Sequence, residues 1–377
     1  LIRTTQSFVE NTDTMGQREI STKTLRDWLD SGKKVNVLDV RPLNEREEWK
    51  IPGSIHVDVY SELKKNNPKT FKSMEWDKSI PVVTVCAGGK TSLIAAKMLQ
   101  NSGYEAYSLQ GGMRTWRLSW NTADNAFDGF KIIQFRRTGK GCLSYLIISL
   151  DEALVIDASL PVEVYQDHLD QNRLNLKYAT DTHIHADHLS RTKELAEKNG
   201  NKPSIPANDK LKYPFNSIAD GDIISLGKIK VRAIGTPGHT FESTSYLIDN
   251  KVLLTGDTLF TNGVGRPDLK ADREEADKKA IMLYYSIRKL IRLDGSIIVM
   301  PGHTSQPVAF DHQPIQSSLK DIMQDLPLLK KDEQEFIQYL LKRIPDPPEN
   351  YLKIVEKNIS GDFKDINTLD LEVGANR

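Results

Sequence analysis

Cysteine is scarce in this chain. Only Cys86 and Cys142 occur in 377 residues, too few for a disulfide scaffold and better suited to a reducing compartment. A surplus of charge is also absent. Lys+Arg and Asp+Glu stand at 51 each, which argues against nucleic acid or an anionic membrane as partner. Long apolar runs are missing too. The longest, around Tyr145 to Leu150, is far too short to span a bilayer, and no secretory apolar segment opens the chain. A cytoplasmic protein is expected, with an organelle matrix as the alternative. Histidine is not abundant either, at 8 residues, yet three of them fall within His183-Ile-His-Ala-Asp-His188. No packing need explains that density of metal-ligand side chains.

The length implies two domains or a little more. Over residues 18–120, short strands alternate with short helices. Strands are predicted at 35–40 and 80–85, and helices at 22–31 and 91–101, a rhythm that suggests a small α/β sheet. Residues 121–129 are small and polar and read as a linker. From Phe130 strands dominate at first (130–136, 143–149, 153–157). A helix is predicted at 162–173, then a strand at 177–181. Further strands fit 229–234, 244–248, 252–255 and 296–300, and helices fit 273–292, 315–324 and 332–343. Pro345-Asp-Pro-Pro-Glu349 breaks regular structure.

Four segments carry candidate ligands: Thr182 to His188, Thr236-Pro-Gly-His239, Thr255-Gly-Asp257 and Met300-Pro-Gly-His303. Two of the histidines follow Pro-Gly, where glycine lets the backbone turn sharply beside an ion. Strand ends distant in sequence can converge at one edge of a sheet. In motif and order this set resembles the metallo-β-lactamase superfamily over about 130–310. The resemblance implies an αββα sandwich with the site at one edge. Two branches are compatible. In glyoxalase II-type hydrolases the resemblance implies two Zn²⁺ per chain, one on His183, His185 and His239, the other on Asp187, His188 and His303, with Asp257 bridging. In persulfide dioxygenases it implies one Fe²⁺ per chain on His183, His239 and Asp257, a two-histidine, one-carboxylate face with open positions. His185, Asp187, His188 and His303 then orient ligands and take up protons. The ligands alone do not choose between the branches.

Gly263-Val-Gly-Arg-Pro-Asp-Leu269 resembles a loop of the dioxygenase branch. There Arg266 is expected to bind the thiol carrier, holding a carboxylate bidentately. Leu371 to Arg377 is similar to the ends of some bacterial members of that branch. After His303 the dioxygenases that use glutathione persulfide usually show Asp-Tyr; here Thr304 and Ser305 follow, which speaks against glutathione as carrier.

Cys86 opens a second candidate site. It ends the apolar run Val82 to Val85 and begins Cys86-Ala87-Gly88-Gly89-Lys90-Thr91-Ser92, with a helix predicted from about Thr91. Backbone N–H groups of such a loop point at the sulfur, favour a thiolate and can hold a persulfide or an anion. The spacing does not fit a P-loop, and residues 87–92 lack the arginine a cysteine phosphatase needs. With Leu38-Asp-Val-Arg41, Glu48-Trp49, Ile51 to His56 and Gly111-Gly-Met-Arg-Thr-Trp116, the loop resembles a rhodanese, a sulfurtransferase handling sulfane sulfur. Cys142 has no such loop and reads as a small core residue.

The expected architecture is α/β: a small rhodanese-like domain (18–121) followed by a metallo-β-lactamase sandwich (128–377, with C-terminal helices and tail from 314). The two resemblances together imply oxidation of a small thiol persulfide to sulfite with O2 at iron, and sulfane-sulfur transfer at Cys86 involving thiosulfate or sulfite. The alternative is a two-zinc thioester hydrolase with an accessory rhodanese. No nucleic acid or membrane partner is expected, and a homo-oligomer is compatible with the sequence.

Overall fold

A computed structural model describes residues 18–65, 67, 70–71, 74–268, 273–342, 350–364 and 366–372. The chain forms two compact units that part between Ser119 and Trp120.

The first unit runs β1 (Glu19–Ile20), α1 (Thr22–Asp30), β2 (Asn36–Asp39), α2 (Leu43–Glu48), β3 (Ile55–His56), α3 (Tyr60–Lys64), β4 (Val82–Val85), α4 (Lys90–Asn101), β5 (Ala106–Leu109) and α5 (Gly112–Trp116). Its strands make one parallel sheet in the order β1-β5-β4-β2-β3. All four residues of β4 are buried and three of them are valine, as suits a central parallel strand covered on both faces. The side chain of Ser21 caps α1 by accepting from the Thr24 N–H. Asp39 is buried and holds Arg41 and Arg46 at 2.7 and 3.0 Å. Arg41 also donates to the carbonyls of Glu45 and Trp49, which ties α2 to the end of β2.

The second unit opens with β6 (Trp120–Phe127), β7 (Phe130–Arg137), β8 (Leu143–Ser149), β9 (Glu152–Ile156), α6 (Val162–Gln171), β10 (Asn175–Thr180), α7 (Thr192–Lys198), β11 (Ser204–Pro206) and β12 (Asn216–Ile218). These strands form a seven-stranded sheet in the order β12-β11-β10-β9-β8-β7-β6. Then come β13 (Ile223–Leu226), β14 (Ile229–Gly235), β15 (Thr244–Ile248), β16 (Val252–Leu254), α8 (Arg273–Leu290), β17 (Ile298–Met300) and β18 (Ser317–Ser318), whose strands form a six-stranded sheet in sequence order. Among the described residues, four α-helices close the unit: α9 (Leu319–Asp325), α10 (Glu333–Leu341), α11 (Tyr351–Ser360) and α12 (Thr368–Leu371).

The sheets pack face to face. Ile132, Tyr145, Ile147 and Leu154 of one meet Val231, Tyr246, Val252 and Leu254 of the other. Behind the first sheet, Phe135, Leu146 and Val155 pack on Tyr165 and Leu169 of α6 and Leu195 of α7. Behind the second, Leu247, Leu253 and Val299 pack on Leu283 and Ile287 of α8 and Phe336 of α10. The expected αββα sandwich is therefore present. Alternating residues on β8 serve both cores, with Leu143, Tyr145 and Ile147 on the inner face and Leu146 on the outer.

Residues 121–129 are not a linker. They form β6 and a tight turn at Asp128-Gly129, with pairing to β7 from Trp120↔Arg137 to Phe127↔Phe130. Gly129 has φ +92°, and Asp-Gly between strands is a strong hairpin signal. The polar composition that suggested a linker belongs to an edge strand with one face in solvent. Residues 345–349, read as a helix-breaking segment, and 373–377, read as part of a family-like C-terminus, lie outside the described residues.

Candidate metal centre and cysteine loop

Five strands of the second unit deliver polar residues to one edge of the sandwich. Asp157 follows β9, Asp181 to His188 follow β10, His239 follows β14, Asp257 follows β16 and His303 follows β17. In the second sheet β14, β16 and β17 run the same way, so their C-terminal ends lie together. Glycine permits the closeness: a Cβ on Gly302 would lie 2.7 Å from Asp257 Oδ1.

The side chains sort into three groups whose donor atoms lie within 4.8 Å of one another: His183, His239 and Asp257; Cys142, Asp187, His188 and His303; and Asp157, Asp181 and His185. His239 donates from Nδ1 to the carbonyl of Arg266 at 2.9 Å, which leaves Nε2 for an ion. Thr182 Oγ1 lies 2.9 Å from Asp157 Oδ2 and from His183 Nδ1. With its proton on the carboxylate, the hydroxyl oxygen accepts from His183 Nδ1–H, and His183 Nε2 is again free. His303 joins two carboxylates, with Nδ1 2.6 Å from Asp257 Oδ1 and Nε2 2.7 Å from Asp187 Oδ2.

Among the described residues, two buried ring nitrogens have no hydrogen-bond partner: His185 Nδ1 and His188 Nε2. Leaving a buried polar atom unsatisfied costs about 1–3 kcal/mol, and two such atoms on a set of His, Asp and Cys donors are what cation ligands look like before the ion is considered. The residues present fit a divalent transition metal.

Charge coupling at this edge is strong. Burial disfavours a charged His303, but Asp257 and Asp187 outweigh it and push the imidazole well above its ordinary value. Burial likewise opposes charge on His188, and Asp187 overcomes it, raising it to about 10. Asp187 and Asp257 are held below the usual carboxylate range because these imidazoles outweigh burial. His183 moves the other way, lowered mainly by burial and further by His185.

Several residues of this site are not apparent in the sequence. Cys142, expected in the core, is fully buried but sits at the metal edge, its thiol donating to Asp187 Oδ2 at 3.2 Å. Asp157 holds His185 Nε2 at 3.0 Å. Lys140 donates to the carbonyl of Asp187 at 2.5 Å. Asn358 of α11 donates to the carbonyls of His185 and His188 at 2.9 Å each and accepts from the Ser190 N–H. Glu372 accepts from the Leu189 N–H and pairs with buried Arg137 at 2.6 Å. Asp-x-Ser after an apolar strand was the one available signal, at Asp157. Arg266 is near the site through its backbone, while its guanidinium forks onto Asp268 at 3.0 and 2.6 Å.

In the first unit, Cys86 is buried at the end of β4. Its Sγ lies 3.2 Å from the Gly89 N–H and 3.3 Å from the Ser92 N–H and Ser92 Oγ. Gly89 adopts φ +89° as it turns the chain into α4, a conformation that favours glycine. Thr91 and Ser92 are buried, whereas Ala87, Gly88 and Lys90 face solvent. The loop is braced from behind: N–H groups of Met113 and Arg114 donate to the carbonyls of Cys86 and Ala87. Donors thus converge on one sulfur, as a bound persulfide or anion requires.

Residues 21–119 match the rhodanese-like domain family, and residues 137–303 match the metallo-beta-lactamase superfamily. The chain joins a rhodanese-like domain to a metallo-β-lactamase domain. The metallo-β-lactamase domain is similar to hydroxyacylglutathione hydrolases, with 34% identity over 162 residues to that of Francisella tularensis subsp. novicida, and 31% over 173 residues to that of Brucella ovis. These matches take 42% and 44% of this chain and span 61% and 64% of the relatives. In structure the chain is similar to a metallo-beta-lactamase from Staphylococcus aureus subsp. aureus COL (28% identity, TM-score 0.56, 64% of this chain and 74% of that one). It shares its fold with ETHE1 from Myxococcus xanthus (24% identity, TM-score 0.50, 63% of this chain and 96% of that one). Among the described residues, no helix is long and apolar enough to cross a membrane.

Proposed function

We propose that the metallo-β-lactamase domain oxidises the terminal sulfur of a small thiol persulfide and that the rhodanese-like domain transfers sulfane sulfur through Cys86. The observation that carries this reading is the pairing, in one chain, of a sulfur-cradling loop (Gly89 and Ser92 N–H groups on Cys86 Sγ) with a separate His183–His239–Asp257 group. Two imidazoles and one carboxylate on one face suit a single ferrous ion, which would supply the redox chemistry that dioxygen needs. The chain's own residues do the rest. His183 and His239 are held in one tautomer by Thr182 and the Arg266 carbonyl, and Asp187, His188 and His303 form a buried proton-holding network beside the reacting sulfur. The overall change is balanced as persulfide, O2 and water giving thiol and sulfite. At Cys86, a thiol persulfide gives its outer sulfur to the cysteine and leaves as the thiol; the cysteine persulfide then gives that sulfur to sulfite, forming thiosulfate and the free cysteine, and the reverse transfer from thiosulfate also loads the cysteine.

A second reading has its own support. The hydroxyacylglutathione hydrolase relatives, the Cys142–Asp187–His188–His303 group and the unpartnered His185 Nδ1 favour two zinc ions and thioester hydrolysis. One experiment separates the two: metal analysis of anaerobically purified protein together with O2 uptake on a low-molecular-weight persulfide. One iron per chain with uptake is expected. Two zincs without uptake would replace the oxidation reading by hydrolysis.

A further inference from the structure

A cavity of about 340 Å³ lies in the metallo-β-lactamase domain, with His239 in its wall. Ile184, Val355 and Ile359 give it apolar surface. Its polar features are unusual. Glu242 is only 8% exposed. Its Oε1 accepts from the Ile184 N–H at 3.1 Å, while Oε2 is buried without a hydrogen-bond partner among the described residues. Lys210 pairs loosely with it, with Nζ at 3.9 Å from Oε2, on a side chain 46% exposed. Phe241 carries Lys210 and Lys279 at 5.7 and 5.3 Å from its ring centre, and Lys279 is shared with Glu275 at 3.1 Å.

A buried carboxylate oxygen on a cavity wall calls for a donor from the ligand, and an ammonium is the strongest one. Lys210, half exposed beside Glu242, suits an anionic group carried next to that ammonium. The apolar wall accommodates the methylene that joins the carbon bearing both charged groups to the sulfur. We propose that this cavity binds the amino-acid end of a cysteine-type thiol, its ammonium on Glu242 and its carboxylate on Lys210, with the sulfur toward His239. The inference rests on the reading that a thiol-borne group is what reaches the metal centre. It identifies Glu242 as a specificity residue for the carrier.

The test uses two thioethers that need no turnover: S-methylcysteine and 3-(methylthio)propionate, which differ only in the amino group. Binding to the metal-loaded two-domain protein is measured by calorimetry or ligand-observed NMR. The expected result is a preference of about tenfold or more for S-methylcysteine, as one charge-assisted hydrogen bond provides. Glu242→Gln keeps an oxygen for the Ile184 N–H but replaces Oε2 by a donor, and the preference should vanish. Lys210→Gln should weaken both ligands alike and leave the preference. No preference in the unmodified protein, a preference that survives Glu242→Gln, equal weakening of both ligands by Glu242→Gln, or no binding of either would overturn the proposal. Because binding is read directly, a preference found without persulfide-dependent O2 uptake would sink the oxidation reading and leave the carrier site standing.

Discussion

His185 occupies a divided position. Its Nε2 is held by Asp157 at 3.0 Å, and its Nδ1 is buried and unpartnered. Asp157 also receives the Thr182 N–H and hydroxyl, so one carboxylate sets the orientation of both His183 and His185. Asp157→Ala should therefore weaken metal binding about 10–100-fold, the usual effect of losing such a support, when measured by competition with a chelator. An unchanged affinity would mean the network only fills space. At Cys86 the argument is sharper, because the sulfur itself is the proposed carrier. Cys86→Ser should bring sulfur transfer from thiosulfate to background while sparing persulfide-dependent O2 uptake. Loss of both activities would remove the case for two separate sites.

Elements far apart in sequence hold the ligand loop. Asn358 on α11 makes three hydrogen bonds to residues 185–190, and Glu372 caps the Leu189 N–H while pairing with Arg137. Ile354 and Leu371 pack on Leu189 between them. Asn358→Leu should cost about 2–4 kcal/mol, taking each buried hydrogen bond at about 1 kcal/mol plus the carbonyls left unsatisfied. Thermal unfolding checks this, with a larger fall expected for the metal-loaded form. Glu372 makes the clamp acid-sensitive. Burial opposes its charge, but Arg137 and Lys140 hold its carboxyl below the ordinary 4.5. A depressed folded value stabilises the protein above the unfolded value and is lost as pH falls through the folded one. The gap in unfolding midpoint between the unmodified protein and Glu372→Gln should thus be full at pH 7 and close progressively below about pH 4.5, the carboxylate range. The ligand segments themselves are legible in sequence because each sits in a short polar turn directly after an apolar strand. The clamp is not, since Asn358 acts on carbonyls 170 and 173 residues away and nothing local marks it. Cys142 escapes for the same reason: the oxygen it meets belongs to Asp187, 45 residues on, and a thiol opening an apolar strand looks like core. Residues 121–129 mislead differently, because an edge strand can afford polar residues that a linker also has.

Across the whole molecule, neither half alone fixes a reaction. A His183–His239–Asp257 face accepts more than one metal and more than one substrate, and a sulfur-cradling loop serves many acceptors. Sulfite ties them together: it is the product of one proposed reaction and the acceptor of the other. Each unit has its own core, with Leu38, Val82 and Leu99 in the first and Ile147, Tyr246 and Leu254 in the second, so damage to one chemistry need not unfold the other. His183→Ala removes an imidazole from the group in which only His239 and Asp257 would remain. It should abolish bound iron and O2 uptake while sulfur transfer at Cys86 keeps its normal rate. Supplying persulfide and O2 to the unmodified protein should yield thiosulfate as well as sulfite, whereas Cys86→Ser should yield sulfite alone. Ion chromatography of the products decides it: thiosulfate from the Cys86→Ser protein at the unmodified rate would mean the two halves share a chain but not a pathway.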